Sequence, residues 1–211
     1  MARRHSTRDW WHCSLALICL CLLSPRAVFA QSFIPLELRQ VQNVETLKSN
    51  EGYLLVKLDV AGPAPSIELV RLGKAGLPPD TDVSRSQRRY KIDLKNKTKG
   101  FYLAPVKTGT YQITTINAPF FGLPYRVDTQ NRRIWRFSIE EDALNYIGNF
   151  HLAAERQTRS VDTRLINRIA SELTAILKLK DQLPERLPLR GGAGYRDDFL
   201  STLETATRSA Q

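Results

Sequence analysis

The fold class is decided by the stretch Tyr53-Leu54-Leu55-Val56-Lys57-Leu58-Asp59-Val60. Its even-numbered positions are all apolar, whereas Lys57 and Asp59 occupy odd-numbered positions. Successive side chains of a β-strand point to opposite faces of the sheet, so this pattern predicts a strand with one buried face and one wet face.

Further alternating segments lie between residues 90 and 152, and short connectors rich in Gly and Pro separate them. Such connectors leave no room for helical crossovers, so we expect the strands to pair antiparallel. Residues 51–152 are therefore predicted to form an antiparallel β-sandwich or barrel, with about seven or eight strands and Trp135 in its core. The preceding residues 31–50 are predicted to form a connector with at most one strand. The apolar members of the alternating segments are Tyr90, Ile92, Leu94, Tyr111, Ile113, Trp135, Phe137, Ile139, Tyr146, Phe150 and Leu152.

After Leu152 the apolar residues recur at helical spacing instead. Asp162 is placed to cap a helix that we predict over residues 162–180 and expect to pack on the sandwich. Its apolar side would consist of Leu165, Ile169, Leu173, Ile176 and Leu177. Pro and Gly predict a loop over residues 181–195, and a short final helix is predicted over residues 197–207. Residues 153–211 thus form a predicted C-terminal helical segment.

The first thirty residues contain all three cysteines of the chain. Three arginines precede an apolar run at residues 13–23, and Val28-Phe29-Ala30 follows it. This order predicts a secretory signal peptide that is cleaved between Ala30 and Gln31. A retained anchor is the less favoured alternative, since a membrane-spanning helix needs roughly twenty residues. We therefore expect a periplasmic or secreted protein with no transmembrane span after cleavage.

Cleavage would leave 181 residues with no cysteine, one histidine and one tryptophan. Disulfides, thiol catalysis and zinc sites built from Cys and His pairs are thereby excluded from this mature domain, and no cofactor or metal is predicted. The mature formal charge is +7, of which residues 85–99 contribute +6.

This basic segment is the first candidate site. On a hairpin, its positive side chains would converge toward phosphate-bearing lipids, lipopolysaccharide or another acidic polymer. The competing interpretation is that lysines on an edge strand only keep the protein soluble and stop sheets from joining. Nucleic acid is a poor candidate for an exported protein. The predicted anion-binding residues are Arg88, Arg89, Lys91, Lys95, Lys97 and Lys99.

The second candidate site is the loop at residues 119–124. Phe120, Phe121 and Leu123 lie beside a glycine and a proline, which predicts an exposed apolar tip that binds a partner.

Catalytic chemistry has weaker support in the sequence. His151 has no second histidine or cysteine as partner, and strand parity predicts a solvated position beside Asn145 and Asn149. The acidic clusters Glu140-Glu141-Asp142 and Asp197-Asp198 could serve a glycan hydrolase only if folding brought two carboxylates face to face.

Two motifs resemble those of a bacterial envelope family of unknown function with a transthyretin-like or carboxypeptidase-regulatory-like sandwich. Thr108-Gly109-Thr110-Tyr111 is similar to a Pro-Gly-x-Tyr step that opens a strand, with Thr108 in place of the proline. Tyr146-Ile147-Gly148-Asn149 occupies the place of the closing strand. The resemblance covers residues 104–152 and implies an antiparallel β-sandwich of prealbumin or immunoglobulin-like type and an envelope location, but no functional residue.

These observations favour an exported, non-catalytic, envelope-associated binding or scaffolding protein. A glycan hydrolase with a carboxylate pair, and a protein inhibitor of an envelope enzyme that inserts the 119–124 loop, are the alternatives.

Overall fold

The computed structural model describes residues 32–43, 45–61, 65–73, 88–120, 123–155, 157–183, 186–191 and 195–196. The predicted signal peptide, the predicted helix at 197–207 and Phe121 lie outside the described residues. The described residues from Phe33 onward belong to one compact unit. None of the helices in the described ranges has the length and apolar character needed to cross a membrane.

The described part of the chain is mostly β-structure, as predicted. Eight strands, β2 to β9, begin within residues 51–152, and a single α-helix lies near the C-terminus of the described region. The strands are β1 (Ile34–Pro35), β2 (Glu51–Val60), β3 (Ser66–Gly73), β4 (Arg88–Asp93), β5 (Gly100–Lys107), β6 (Gly109–Phe120), β7 (Leu123–Asp128), β8 (Arg136–Ile139), β9 (Leu144–Glu155), β10 (Ser160–Asn167), β11 (Leu189–Arg190) and β12 (Tyr195–Arg196), and the helix is α1 (Ile169–Lys180).

These strands form two six-stranded sheets, which confirms the predicted sandwich. Sheet A has the order β1-β4-β3-β6-β7, and β8 pairs with residues 109–112 of β6. Sheet B has the order β12-β10-β9-β2-β5, and β11 pairs with β9. Apolar side chains from both sheets form one core between them, in which Trp135 is buried as expected.

One central pairing departs from the antiparallel expectation. Strands β2 and β9 run parallel along eight paired positions in the middle of sheet B. The expectation rested on short connectors, which constrain only strands that follow one another in sequence. Between β2 and β9 the chain builds most of sheet A, so it has ample length to return in the same direction.

A second apolar cluster covers the outer face of sheet B. Tyr53, Leu55 and Tyr146 on that face pack against Ile176 and Leu179 of α1. The odd-numbered face of β2 is therefore wet only toward the C-terminal end of the strand, not along its whole length as predicted.

A β-bulge in β9 changes the predicted parity of that strand. Tyr146 is opposite Leu55, whereas Gly148 is opposite Val56, so Ile147 is the extra residue. Tyr146 consequently joins the helix-facing cluster, while residues 150 and 152 face the inner core. Strict alternation predicts that Tyr146, Phe150 and Leu152 share one face of the strand. This prediction was wrong, because simple alternation cannot represent an inserted residue.

The helix begins at Ile169 rather than at Asp162, because residues 160–167 form β10, paired antiparallel with β9. This segment alternates apolar or β-branched residues with charged ones, a pattern that also fits a strand. The buried side of α1 is also rotated from the predicted one. Glu172 is buried, whereas Leu173 and Leu177 are 41% and 42% exposed.

Two consecutive connections cross between the sheets, and each contains the same hydrogen bond. The hydroxyl of Tyr102 donates to the carbonyl of Thr98 at 3.2 Å, after β4 and at the start of β5. The hydroxyl of Tyr111 donates to the carbonyl of Lys107 at 2.6 Å, between β5 and β6. Both bonds resemble the tyrosine corner of β-sandwiches, in which the side chain ties a crossover to the following strand.

Candidate functional site

The topology places the two predicted contact regions at the same end of the sandwich. In sheet B, Leu58 of β2 lies opposite Gly100, and Val60 lies opposite Leu152 near the end of β9. In sheet A, Ser66 lies opposite both Asp93 and Asn117. The connections that follow β2, β4, β6 and β9 therefore meet at one end. We call the described residues 94–99, 118–120, 123–125 and 157–159 the lysine end.

The six predicted anion-binding residues do not form one patch. Strands β4 and β5 belong to different sheets, so residues 88–99 are a strand and a crossover, not the predicted hairpin. Arg88 lies at the opposite end of β4, in register with Arg71, and its charge acts on Tyr111. Arg89 and Lys91 share the outer face of sheet A.

Each lysine of the 94–99 turn has a different environment. Lys97 donates from Nζ to the carbonyl of Leu38 at 2.8 Å and lies 5.5 Å from the centre of the Tyr102 ring. Lys99 Nζ lies 3.2 Å from Asp59 Oδ1. The side chain of Lys95 is exposed, and only its backbone N–H bonds to Asp93 Oδ1. Lys97 thus has a structural role, whereas Lys95 and Lys99 are exposed and Lys99 is paired with Asp59.

Lys97 fixes an N-terminal segment that closes the edge of the sandwich. Leu36 donates its N–H to the carbonyl of Lys91 in sheet A, at 2.9 Å. Three residues later, Arg39 exchanges two backbone hydrogen bonds of 2.8 Å with Leu103 in sheet B. The segment therefore passes from one sheet to the other, and β4 is not the open edge that the solubility interpretation assumed.

An open groove lies between this segment and the basic turn. Its lining combines cations with two carboxylates, so it is not uniformly positive. Arg39 hydrogen-bonds to Glu37 and thereby lowers the pKa of this carboxyl group. The groove is lined by Phe33, Pro35, Leu36, Glu37, Lys91, Asp93, Lys95, Asn96 and Lys97.

A row of polar and charged side chains crosses the outer face of sheet B near the lysine end. His151 Nδ1 lies 3.4 Å from Asp59 Oδ2, and its Nε2 lies 4.0 Å from Asp162 Oδ2. Lys99 binds Asp59 at one end of the row, and Arg164 binds Asp162 at 2.8 Å at the other. His151 is therefore half-buried between two carboxylates, whereas strand parity predicted a solvated position.

Asp59 is the group in this row with a perturbed acidity. Partial burial alone would raise the pKa of Asp59, but hydrogen bonds and charge attraction from Lys99 and His151 outweigh it and lower the pKa. Across the described residues, no group of three or more Asp, Glu, His or Cys side chains is arranged to hold a metal ion.

The β6–β7 hairpin carries exposed apolar side chains at the lysine end. Leu123, Tyr125 and Val127 share the face of β7 that points toward the core, since they pair with positions 120, 118 and 116 of β6. Val127 packs against the core, whereas Leu123 is 68% and Tyr125 is 42% exposed. Sheet B therefore does not cover this part of the hairpin. Leu123 has the exposure predicted for it, while the side chain of Phe120 and all of Phe121 lie outside the described residues. The prediction of a loop over residues 119–124 was wrong, because Pro119 pairs with Pro124 and Phe120 pairs with Leu123 at the end of the hairpin.

Sequence reasoning missed the burial of Glu172. Tyr146 donates its hydroxyl to Glu172 Oε2 at 2.7 Å, and Lys57 Nζ lies 2.6 Å from Oε1. The three groups lie between α1 and sheet B. Two features of the sequence could have indicated it. Glu172 lies at helical spacing from Ile176, and Lys57 is the one lysine of β2.

The acidic cluster at 140–142 belongs to the opposite end of the molecule. Glu140 pairs with Arg190 at 2.7 Å, and Glu141 accepts the backbone N–H of Asn50 at 2.7 Å. These contacts hold loops in place. Asp197 and Asp198 lie outside the described residues.

Comparison of this chain with models of known protein families, with curated proteins and with solved structures yields no significant match.

Proposed function

We propose that this protein is an exported, non-catalytic binding protein of a cell envelope, and that the lysine end is its contact surface for anionic envelope components. The observation that carries the proposal is the meeting of the 94–99 turn and the β6–β7 hairpin at one end of the sandwich. Binding surfaces commonly lie on loops that a rigid scaffold presents together.

The exposed lysines supply the attraction in this proposal. Lys95 is exposed in the turn, and Lys91 lines the same groove from the outer face of sheet A. Ammonium groups attract phosphate and sulfate as point charges, and such attraction weakens as salt rises.

The surroundings of the carboxylates favour binding over glycan hydrolysis. A general acid for glycoside cleavage needs a raised pKa, whereas the pKa values of Glu37 and Asp59 are lowered by Arg39 and Lys99. The buried carboxylate of Glu172 is bound by Lys57 and Tyr146 beneath the helix.

The test compares two double variants with the same net charge. Lys91→Glu/Lys95→Glu removes cations of the groove, and Lys48→Glu/Lys178→Glu removes exposed lysines elsewhere. Probes are phosphatidylglycerol vesicles and dextran sulfate, in sedimentation and ion-competition assays. We expect the affinity of the groove variant for anionic probes at low salt to fall at least fivefold. The affinity of the control variant should fall by less than half as much. Equal losses in both variants, or no binding by the unmodified protein, would overturn the proposal.

The proposed compartment has its own test. Mass spectrometry of the protein recovered from a producing cell is expected to show a chain that starts at Gln31, in the fraction released by opening the outer envelope. A chain that retains residues 1–30 in the membrane fraction would favour the anchor instead.

A further inference from the structure

We propose that the lysine end docks on an anionic lipid bilayer, with Leu123 and Tyr125 entering the interfacial region while Lys95 contacts the headgroups. This inference rests on the proposed function and identifies its ligand as a lipid surface, not a soluble acidic polymer.

The apolar part of this contact is a strand face that the fold leaves uncovered. Along β7, exposure increases from the half-buried Val127 to the 68% exposed Leu123, although all apolar members of this face have core-facing parity. A hairpin that only closed the core would bury these residues. Instead, Leu123 and Tyr125 in its far part are exposed to solvent.

The chemistry of the two side chains suits an interface. Leucine gains free energy on leaving water, and tyrosine combines an apolar ring with a hydroxyl that stays hydrated at headgroup depth. A soluble acidic polymer offers the lysines a partner, but it offers Leu123 no apolar phase.

The charges around the hairpin complement an anionic surface. Lys95 projects from the same end, and Arg126 lies on the opposite face of β7, where it donates to Thr115 Oγ1 at 3.1 Å. An anionic bilayer attracts basic residues near its surface, and shallow apolar insertion adds to this attraction.

The experiment separates the apolar from the electrostatic contribution. Leu123→Asp and the matched control Leu177→Asp each place a charge at an exposed leucine, the control on α1 away from the lysine end. Both variants and the unmodified protein, recovered after export, are assayed with phosphatidylglycerol vesicles, phosphatidylcholine vesicles and dextran sulfate. Thermal unfolding confirms that each variant is folded.

We expect Leu123→Asp to weaken binding to phosphatidylglycerol vesicles by about tenfold and to change dextran sulfate binding less than twofold. Leu177→Asp should leave both affinities within twofold. In a Leu123→Trp variant, tryptophan emission should shift to shorter wavelength with phosphatidylglycerol vesicles and not with dextran sulfate.

Four results would overturn the inference. Unchanged vesicle binding by Leu123→Asp would show that no insertion occurs. Binding of dextran sulfate without binding of vesicles would leave the proposed function standing and dismiss the lipid surface. Binding of neither probe would dismiss both the lipid surface and the proposed function. If Leu123→Asp lost binding to a protein partner and bound vesicles unchanged, the hairpin would be assigned to a protein instead.

Discussion

Tyr111 and Tyr102 stabilise the two crossovers between the sheets in the same way. In each, a buried ring anchors the strand in the core, and its hydroxyl bonds to a carbonyl four residues earlier. Gly109 begins β6 at this crossover, and a Cβ at that position would collide with the carbonyl oxygen of Gly73. The Gly-x-Tyr step of the sequence thus corresponds to a close backbone approach and a crossover bond.

We expect Tyr111→Phe to lower the free energy of unfolding by roughly 1 to 3 kcal/mol, because the Lys107 carbonyl loses its partner. Urea denaturation followed by circular dichroism measures the change. Leu177→Met, at a 42% exposed position of α1, is the control and should change stability by less than about 0.5 kcal/mol. Equal effects would contradict the assigned role of the crossover bond.

Asp59 should make a pH-dependent contribution to stability. Its pKa in the folded protein is lowered below the ordinary value of 3.8, so its contribution is present above that value and is lost as pH falls below it. Asp59→Asn should therefore be slightly less stable than the unmodified protein at neutral pH, by less than about 1 kcal/mol.

Chemical denaturation at neutral pH and below 3.8 tests this expectation. The difference between Asp59→Asn and the unmodified protein should shrink in acid. Asp128→Asn is the control, since an amide oxygen can still accept the Gln130 N–H that Asp128 binds at 2.9 Å. A difference for Asp59→Asn that persists in acid would argue against the charge interaction.

At the scale of elements, α1 is attached to sheet B through both apolar and polar contacts. Ile176 and Leu179 pack on the sheet, and Glu172 joins the helix to β2 and β9 through Lys57 and Tyr146. Burying an acid is unfavourable unless its oxygens are satisfied, and here each oxygen has a partner. This polar contact selects one rotation of the helix and leaves Leu173 and Leu177 outside.

A double-mutant cycle measures this polar contact. Glu172→Gln should cost roughly 1 to 3 kcal/mol, because it leaves Lys57 without its charged acceptor in a largely buried position. Combined with Lys57→Met, the loss should be smaller than the sum of the single effects by about 1 kcal/mol or more.

The exposed pair Arg164 and Asp162 provides the matched cycle. Its side chains are 57% and 42% exposed, so its coupling should be below about 0.5 kcal/mol. Similar couplings for the two pairs would show that burial does not strengthen the contact at Glu172.

At the scale of the whole molecule, two buried tyrosines lie between the three layers that sheet A, sheet B and α1 form. Tyr111 lies between the sheets, and Tyr146 lies between sheet B and the helix. Burial raises the pKa of Tyr111 with a smaller contribution from Tyr90, and burial together with the hydrogen bond to Glu172 raises the pKa of Tyr146.

Both layers should therefore weaken in alkali. A raised folded-state pKa contributes stability that is present below the ordinary tyrosine value of 10 and is lost as pH rises above it. We expect the unfolding midpoint in urea to fall above this pH, and ultraviolet titration to show tyrosines that ionise only with unfolding. Tyr111→Phe should reduce the number of late-ionising tyrosines by one, and a complete titration of the folded protein would contradict the assignment.

The sequence alone predicted much of this molecule, because burial imposes a period on the chain. Alternation predicted strands β2, β4, β6, β8 and β9, the sandwich and the buried position of Trp135. It also predicted that Leu123 would be exposed, since apolar residues beside Gly and Pro commonly form tips.

Only the tertiary structure decided which residues meet. The parallel pairing of β2 and β9, the bulge at Ile147 and the assignment of 160–167 to a strand depend on contacts between distant segments, which a local period does not contain. The same limit applies to the candidate site. The sequence predicted one patch of six cations because these residues are close along the chain. The fold instead separates Arg88 from Lys95, and Lys97 donates a hydrogen bond to the carbonyl of Leu38. The fold also brings the 94–99 turn and the β6–β7 hairpin to one end of the sandwich. The end at which a connection lies depends on the direction of the strands it joins, and not on its position in the sequence.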